Sequence, residues 1–193
     1  MMKENTSALT SANTVFNSLA KGVCPVCWLG RAFQNELIER LDPEDAAVVC
    51  NYHAWAIAAS APAGSAAEIF LAMLRRKGRE RSWKEHASCD LCSSIREYEC
   101  SRLRELATEM RRIRFTQWLE QHGTLCCFHG GSLQSMVSEE HAQIITKVIK
   151  NNQQQLQELL DAFASKARSG EHAGGGVLGR AAEFLVAQRG LTR

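Results

Sequence analysis

Residues 24–27 read CPVC and residues 89–92 read CDLC, so a Cys-x-x-Cys pair returns 65 positions later in the chain. Each pair is followed downstream by a Cys-x-x-His pair, at residues 50–53 (CNYH) and at residues 126–129 (CCFH). The order of Cys-x-x-Cys, intervening segment and Cys-x-x-His therefore occurs twice. Self-similarity at a fixed offset indicates that the chain is built from related units, and it decides how the remaining sequence is interpreted.

The two copies agree beyond their cysteines. At the same offset of 65 positions, Phe33 corresponds to Tyr98 and Ile38 to Leu103. The Cys-x-x-His pairs lie 76 positions apart, so the second copy contains 11 more residues than the first, about three helical turns. We therefore expect two repeated halves and a C-terminal helical extension that packs on the same domain. The predicted segments are residues 15–65, residues 66–135 and residues 136–193.

The pattern of apolar residues is helical almost throughout. Only three prolines occur, and no stretch alternates apolar and polar residues as a β-strand would. Apolar side chains recur at helical spacing over residues 29–41, 95–113 and 138–166, and we expect residues 95–113 to form one long helix. The predicted fold class is all-α.

The composition is that of a globular protein. Of 193 residues, 23 are Lys or Arg and 21 are Asp or Glu, which leaves a formal net charge of +2. Hydrophobic residues make up 45% of the chain, as in ordinary folded domains rather than disordered ones. The small net charge argues against a protein dedicated to nucleic-acid binding, although it does not exclude local basic patches.

Two stretches bear on export and membrane insertion. Residues 1–14 lack the apolar core of a secretory signal peptide. Residues 46–67 contain no Asp, Glu, Lys or Arg, but they are rich in alanine and include Pro62 and Gly64. They fall short of the apolar run of about 20 residues that a spanning helix needs. We therefore expect a cytoplasmic protein without membrane contact.

Eight cysteines without an export signal indicate metal binding or redox chemistry rather than a disulfide framework. Two ligands three residues apart at the start of a helix direct their side chains to a common centre, and a second pair completes a tetrahedral site. We expect each repeat to form one Cys3His site. The first comprises Cys24, Cys27, Cys50 and His53, and the second comprises Cys89, Cys92, Cys126 and His129.

Zinc is the expected ion, one in each site, because it accepts three thiolates and an imidazole in tetrahedral geometry. With four protein ligands each zinc would be structural, since a catalytic zinc keeps one position for water. An iron–sulfur cluster is the alternative, because clusters are held by cysteines and some accept histidine. Cys126 preserves the Cys-x-x-His spacing and is the expected ligand, with the adjacent Cys127 as a possible substitute. Cys100 is expected to be an ordinary helix residue.

The arrangement resembles an uncharacterised bacterial family of Cys/His-repeat proteins over about residues 21–190. The residues that carry the resemblance are the four motifs at 24–27, 50–53, 89–92 and 126–129 and the sequence GRAAEFL at 179–185. The resemblance implies a helical fold with paired metal-type motifs in a bacterial cytoplasm, and it implies no particular activity. The doublet of Cys126 and Cys127 departs from the single cysteine of that pattern.

A basic connector is the candidate for nucleic-acid binding, and Trp83 lies within it. Its basic residues are Arg75, Arg76, Lys77, Arg79, Arg81 and Lys84. A second cluster combines Arg111, Arg112 and Arg114 with Phe115 and Trp118. Basic grooves with stacking aromatic rings are what single-stranded nucleic acid requires. Given the small net charge, a solvated helix face is the simpler interpretation.

Motifs of catalysis are missing from the sequence, which contains no GxSxG elbow, no P-loop and no HExxH helix. We therefore expect a binding protein rather than an enzyme, and no substrate is indicated. The predicted function is that of a zinc-binding scaffold or regulatory module with a protein partner. Electron transfer or redox sensing through an iron–sulfur cluster is the first alternative, and nucleic-acid binding is the second.

Overall fold

The computed structural model describes residues 22–43, 49–77, 89–170 and 176–186. Within these ranges the chain forms eight α-helices and no β-strand, which confirms the all-α prediction. The helices are α1 (Pro25–Glu39), α2 (Asn51–Ser60), α3 (Ala63–Lys77), α4 (Asp90–Glu109), α5 (Ile113–His122), α6 (Cys127–Gln134), α7 (Glu139–Arg168) and α8 (Gly176–Val186).

Several helix ends follow directly from the local sequence. Pro25 is the first residue of α1, where its missing N–H leaves no helical hydrogen bond unmade. Helix α7 has two glutamates in its first turn and Lys166 and Arg168 in its last turn, so both ends complement the helix dipole. Gly170, with a φ of +77°, follows α7 in the left-handed conformation that commonly terminates helices.

The single helix predicted over residues 95–113 is wrong, because this stretch is divided between two helices. Helix α4 ends at Glu109 and α5 begins at Ile113. At the break the Thr116 hydroxyl donates to the Met110 carbonyl at 2.7 Å, and the Arg112 N–H donates to the Glu109 carbonyl at 2.9 Å. These bonds satisfy backbone groups that the helix ends leave open, so the chain turns here without Gly or Pro.

The chain divides into two compact units. Unit 1 takes the described residues up to Leu29 and from Ser101 onward, whereas unit 2 takes those from Gly30 to Cys100. Each unit therefore draws on both predicted repeats, and the boundaries fall within α1 and α4. The predicted segments 15–65, 66–135 and 136–193 describe the sequence repeat and stay a prediction.

The core of unit 2 is formed by apolar side chains from α1, α2, α3 and the start of α4. Ile57 and Ile69 are completely buried. The core residues are Ile38, Ile57, Ala66, Ile69, Cys89 and Leu91. Burial of apolar surface stabilises a fold by about 25 cal/mol per Å². One candidate metal ligand, Cys89, is thus also part of the hydrophobic core.

Helices α1 and α4 run in opposite directions within unit 2. The Phe33 ring stacks on the Tyr98 ring, with centroids 4.2 Å apart and planes 9° from parallel. Ile38, near the end of α1, packs in the same core as Cys89 and Leu91 at the start of α4. Since Phe33 and Tyr98 occupy corresponding positions of the repeat, the two helices meet at equivalent points.

The core of unit 1 lies along α7, against which α5, α6 and α8 pack. Helix α6 approaches α7 so closely that a Cβ atom added at Gly130 would lie 2.5 Å from Cδ1 of Ile149. The buried apolar residues of this unit are Val26, Leu29, Leu103, Leu106, Met110, Phe115, Leu119, Leu125, Leu133, Ile145, Val148, Leu156 and Phe184. The narrow gap between α6 and α7 fixes the position of the helix that begins at the second Cys-x-x-His pair.

The uncharged stretch at residues 46–67 contains α2 and the start of α3, and Pro62 separates the two helices. Positions 46–48 of this stretch lie outside the described residues. In the parts of the chain that the structure describes, no helix is both long enough and apolar enough to cross a membrane.

Candidate metal centres

The first Cys/His cluster, here cluster A, lies in unit 1 and is formed by Cys24, Cys27, Cys126 and His129. Its four potential ligand atoms all lie within 4.8 Å of one another. Nδ1 of His129 is 3.3 Å from the Sγ atoms of Cys27 and Cys126 and 3.7 Å from that of Cys24. None of the four residues has more than 3% of its surface exposed.

The second cluster, here cluster B, lies in unit 2 and is formed by Cys50, His53, Cys89 and Cys92. Nδ1 of His53 is 3.3 Å from each of the three Sγ atoms. The Sγ atoms of Cys50 and Cys92 are 3.6 Å apart. Cys89 and His53 are buried, whereas Cys50 and Cys92 are half-buried.

These separations are close to the edges of a tetrahedral metal site. With Zn–S bonds of about 2.3 Å and Zn–N bonds of about 2.0–2.1 Å, a tetrahedron places two sulfurs about 3.8 Å apart and a sulfur and a nitrogen about 3.6 Å apart. The Sγ atoms of Cys27 and Cys126 are 3.7 Å apart, and those of Cys50 and Cys92 are 3.6 Å apart. Each cluster could therefore hold one metal ion.

The structure brings all eight predicted ligand residues into clusters, but their pairing differs from the prediction. Each cluster combines the Cys-x-x-Cys pair of one copy with the Cys-x-x-His pair of the other. The expectation of one site within each repeat is therefore wrong. The predicted groupings that do not form are Cys24, Cys27, Cys50 and His53, and Cys89, Cys92, Cys126 and His129.

The direction of the helices explains this exchange. Helix α1 carries the chain away from its Cys-x-x-Cys pair at about 1.5 Å per residue. Because α4 runs antiparallel to α1 in unit 2, the pair at Cys89 and Cys92 lies beside the end of α1, from which the chain leads to Cys50. The Cys-x-x-Cys pair nearest to residues 50–53 is therefore the one from the other copy.

Both Cys-x-x-His pairs occupy the start of a helix. Cys50 is the N-cap of α2 and Cys126 is the N-cap of α6, and both have extended backbone. In the capping geometry the side chain of the cap turns back toward the third residue of the helix, which is His53 in α2 and His129 in α6. The Cys126 sulfur also accepts a hydrogen bond from the His129 backbone N–H at 3.3 Å, whereas Cys50 makes no capping hydrogen bond.

An aromatic ring lies against each histidine. The rings of Tyr52 and His53 meet edge to face with centroids 5.0 Å apart, and those of Phe128 and His129 do so at 5.3 Å. The Tyr52 hydroxyl also donates to Oε1 of Gln34 at 3.4 Å. These contacts restrict rotation of the imidazoles and hold Nδ1 toward the sulfurs. The sequence signal for this contact is the aromatic residue that precedes the histidine in both copies.

The crowding in cluster A separates the pKa values of its thiols. Burial raises the pKa of Cys24, but hydrogen bonds with Cys126, Cys27 and His129 outweigh it and hold that pKa well below its ordinary value. Hydrogen bonds with Cys126 and Cys24, together with burial, raise the pKa of Cys27. Metal ligation requires the thiolate form, so binding of an ion here would release protons from the other sulfurs.

Cluster B shows the same division. Burial raises the pKa of Cys89, but the hydrogen bond with His53 and backbone hydrogen bonds at Cys50 and Cys92 outweigh it and lower that pKa. Burial and the hydrogen bond with Cys50 raise the pKa of Cys92 to about 12. In each cluster one sulfur of the Cys-x-x-Cys pair thus favours the thiolate form that a metal ion would bind.

Cys100 and Cys127 lie outside both clusters. Cys127 is half-buried in the first turn of α6. Burial, together with the nearby Cys126, raises the pKa of its thiol. Of the two adjacent cysteines, the structure therefore brings Cys126 into cluster A and leaves Cys127 outside it.

The basic residues do not form a described surface. Arg75 is exposed on α3, whereas Arg79, Arg81, Lys84 and the side chains of Arg76 and Lys77 lie outside the described residues. In the second basic cluster Arg112 pairs with Glu109 at 2.9 Å, and the Phe115 ring is buried. A buried ring is not available to stack on a base, so this cluster lacks one of its two predicted aromatic contacts.

Comparison of the chain with protein-family models, with curated proteins and with solved structures finds no match. The resemblance to the bacterial Cys/His-repeat family therefore rests on the motifs alone, and the bacterial origin that it implies stays a prediction. The two Cys3His clusters in a helical fold are consistent with a metal-binding protein.

Proposed function

We propose that the chain is a zinc protein in which clusters A and B each hold one structural ion. The observation that carries this proposal is the convergence of three sulfurs and one imidazole nitrogen within 4.8 Å in each cluster. Motif spacing alone indicates only that ligands are present. Their convergence into two sets of four donor atoms, from segments far apart in the chain, supports metal binding much more strongly.

The donor set favours zinc over the other common divalent ions. Thiolates and imidazole are soft or borderline ligands, whereas Mg²⁺ and Ca²⁺ take oxygen ligands. In each cluster the protein supplies all four positions of the tetrahedron. No position is left for water or a substrate, and this supports a structural rather than a catalytic role.

Each ion would join segments that are distant in sequence. Cluster A links residues 24–27 to residues 126–129, and cluster B links residues 50–53 to residues 89–92. Structural zinc can contribute on the order of 10 kcal/mol to folding free energy. We infer that folding of this chain depends on its two ions.

We propose a scaffold or regulatory role with a protein partner, in a bacterial cytoplasm. Cytoplasmic thiols are kept reduced, and the eight cysteines form no disulfide in the structure. Trp55 and Leu74 are 72% and 67% exposed on α2 and α3. Exposed aromatic side chains are common at protein interfaces, and this supports a protein partner.

An iron–sulfur cluster fits the geometry less well than a single ion. Clusters with two or four irons distribute their ligands over several metal atoms and so separate the ligands more widely than one ion does. Here the four donor atoms of each site all lie within 4.8 Å of one another. Electron transfer or redox sensing through a cluster is therefore the weaker candidate.

Nucleic-acid binding is the third candidate, and it depends on the basic connector. Most of that connector lies outside the described residues, and Arg75 is its one side chain that the structure describes. Single-strand binding that weakens with salt and disappears when the six basic residues are replaced by glutamine would support it.

Metal analysis of the protein tests the proposal directly. We expect protein purified without oxygen to be colourless and to carry two zinc ions per chain, because each cluster holds one ion. A brown protein that contains iron and acid-labile sulfide would contradict the zinc proposal and support the cluster. A protein that folds fully in the presence of a strong chelator would contradict the structural role.

A further inference from the structure

Clusters A and B differ in their exposure to solvent. All four residues of cluster A are buried. In cluster B, Cys50 and Cys92 are only half-buried, although Cys89 and His53 are buried. A competing chelator or a thiol reagent must reach a ligand atom before it can displace the metal. Two of the four ligand residues of cluster B are therefore less well shielded than any ligand residue of cluster A.

The N-cap ligands of the two clusters differ as well. Cys126 in cluster A accepts a hydrogen bond from the His129 N–H. The equivalent residue Cys50 in cluster B makes no capping hydrogen bond, and the backbone hydrogen bonds of cluster B go to Cys89 instead. The helix behind cluster A is also held tightly, because Gly130 lies against Ile149 of α7. Outer-shell contacts of this kind change metal affinity by about 10- to 100-fold.

From these two differences we propose that cluster B is the exchangeable, metal-responsive site of the protein, whereas cluster A releases its ion more slowly. This inference rests on the proposed function, because it requires that both clusters bind zinc. The ligand class is a divalent ion that accepts thiolate and imidazole ligands, and the competing species are small chelators and thiol-directed reagents that reach the half-buried Cys50 and Cys92.

Loss of the ion from cluster B would act on the core of unit 2. Cys89 is a ligand of this cluster and also packs with Ile38 and Leu91 in that core. Without the ion, three cysteines and one histidine would remain without a metal beside this small core, and the link that the ion makes between α2 and α4 would be lost. Occupancy of cluster B thus couples metal availability to the order of unit 2, which is the property of a metal-responsive switch.

Zinc release from the holoprotein tests this inference. The protein with two bound zinc ions is mixed with excess 4-(2-pyridylazo)resorcinol, and release is followed by the absorbance of the zinc complex. We expect two phases of one equivalent each, with the fast phase about tenfold or more faster than the slow one, in keeping with the outer-shell difference. Release of both ions in one phase would overturn the inference.

Variants at equivalent positions assign the phases. Cys50 and Cys126 are the two N-cap ligands, so Cys50→Ser and Cys126→Ser form a matched pair. We expect Cys50→Ser to abolish the fast phase and to leave the slow one. Loss of the slow phase in Cys50→Ser, or loss of the fast phase in Cys126→Ser, would overturn the assignment.

Labelling of cysteines in the zinc-loaded protein without substitutions gives a second test, which does not require any variant to fold. The thiolate adds across the carbon–carbon double bond of N-ethylmaleimide, which forms a C–S bond, and the adjacent carbon takes up a proton. We expect Cys50 and Cys92 to be labelled before Cys24, Cys27 and Cys126, as read by peptide mass spectrometry. Equal labelling of all five would overturn the inference.

The two proposals fail in different ways. If the chain binds no zinc at all, the proposed function fails. If it binds two zinc ions that are released together, and the cysteines of both clusters are labelled at the same rate, the proposed function stands. Only the difference between the two sites is then refuted. The half-buried cysteines outside the clusters, Cys100 and Cys127, give the labelling rate of thiols without a metal.

Discussion

At the scale of single residues, the adjacent cysteines Cys126 and Cys127 show how position decides chemistry. Cys126 is the N-cap of α6, and its sulfur lies 3.3 Å from Nδ1 of His129. Cys127 is the first residue of α6, whereas Cys126 precedes the helix and has extended backbone, so the two side chains do not share one helical face. Only the first of the two sulfurs belongs to cluster A.

This difference predicts opposite results for two neighbouring substitutions. Cys126→Ser should lower the zinc content from two ions to one, because cluster A loses a ligand. The loss should destabilise the protein by several kcal/mol, since structural zinc contributes on the order of 10 kcal/mol. Zinc content and thermal unfolding measure both effects.

Cys127→Ser is the matched control. It should retain both ions and shift the free energy of unfolding by about 1 kcal/mol or less, the usual range for a residue outside special sites. Equal loss of zinc in the two variants would contradict the assignment of the ligand.

At the scale of elements, the approach of α6 to α7 fixes where His129 lies. A Cβ atom at Gly130 would lie 2.5 Å from Cδ1 and 2.9 Å from Cγ1 of Ile149, whereas one at Gly131 would meet nothing within 4 Å. Neighbouring glycines in one helix thus face different surroundings. One of them faces the buried contact with α7, and the other faces open space.

Replacing these two glycines by alanine should change the free energy of unfolding in opposite directions. Gly130→Ala should destabilise the protein by about 1–3 kcal/mol, because the new methyl group overpacks the contact with α7. Gly131→Ala should stabilise it by about 0.4–1 kcal/mol, because alanine restricts the unfolded chain and fits the helix. Chemical denaturation of the zinc-loaded proteins measures both values, and destabilisation by Gly131→Ala would refute this description of the packing.

Most of the helices could be predicted from the spacing of apolar residues, and the break after α4 could not. The stretch from Ile95 to Ile113 keeps a helical pattern across the break, which contains neither Gly nor Pro. What ends α4 is a set of capping bonds, including the one from the Thr116 hydroxyl to the Met110 carbonyl. Such bonds form only when the chain has already turned, so the spacing of apolar residues does not indicate them.

At the scale of the whole molecule, the two repeated motifs are interleaved between the sites. Each cluster takes two ligands from each copy, so in this fold neither copy forms a site by itself. The eight residues could be singled out from their spacing, because ligand pairs three residues apart are a local signal. The pairing could not, since it depends on the antiparallel packing of α1 and α4, which the stacking of Phe33 on Tyr98 reflects.

Each cluster combines the Cys-x-x-Cys pair of one copy with the Cys-x-x-His pair of the other, and the zinc content of two double variants tests this pairing. Cys27→Ser/Cys126→Ser removes two ligands from cluster A and leaves cluster B complete, so it should retain one zinc ion per chain. Cys27→Ser/Cys50→Ser removes one ligand from each cluster and should retain none. The reverse result, with one ion kept by Cys27→Ser/Cys50→Ser and none by Cys27→Ser/Cys126→Ser, would show that each site forms within one repeat and would contradict the account.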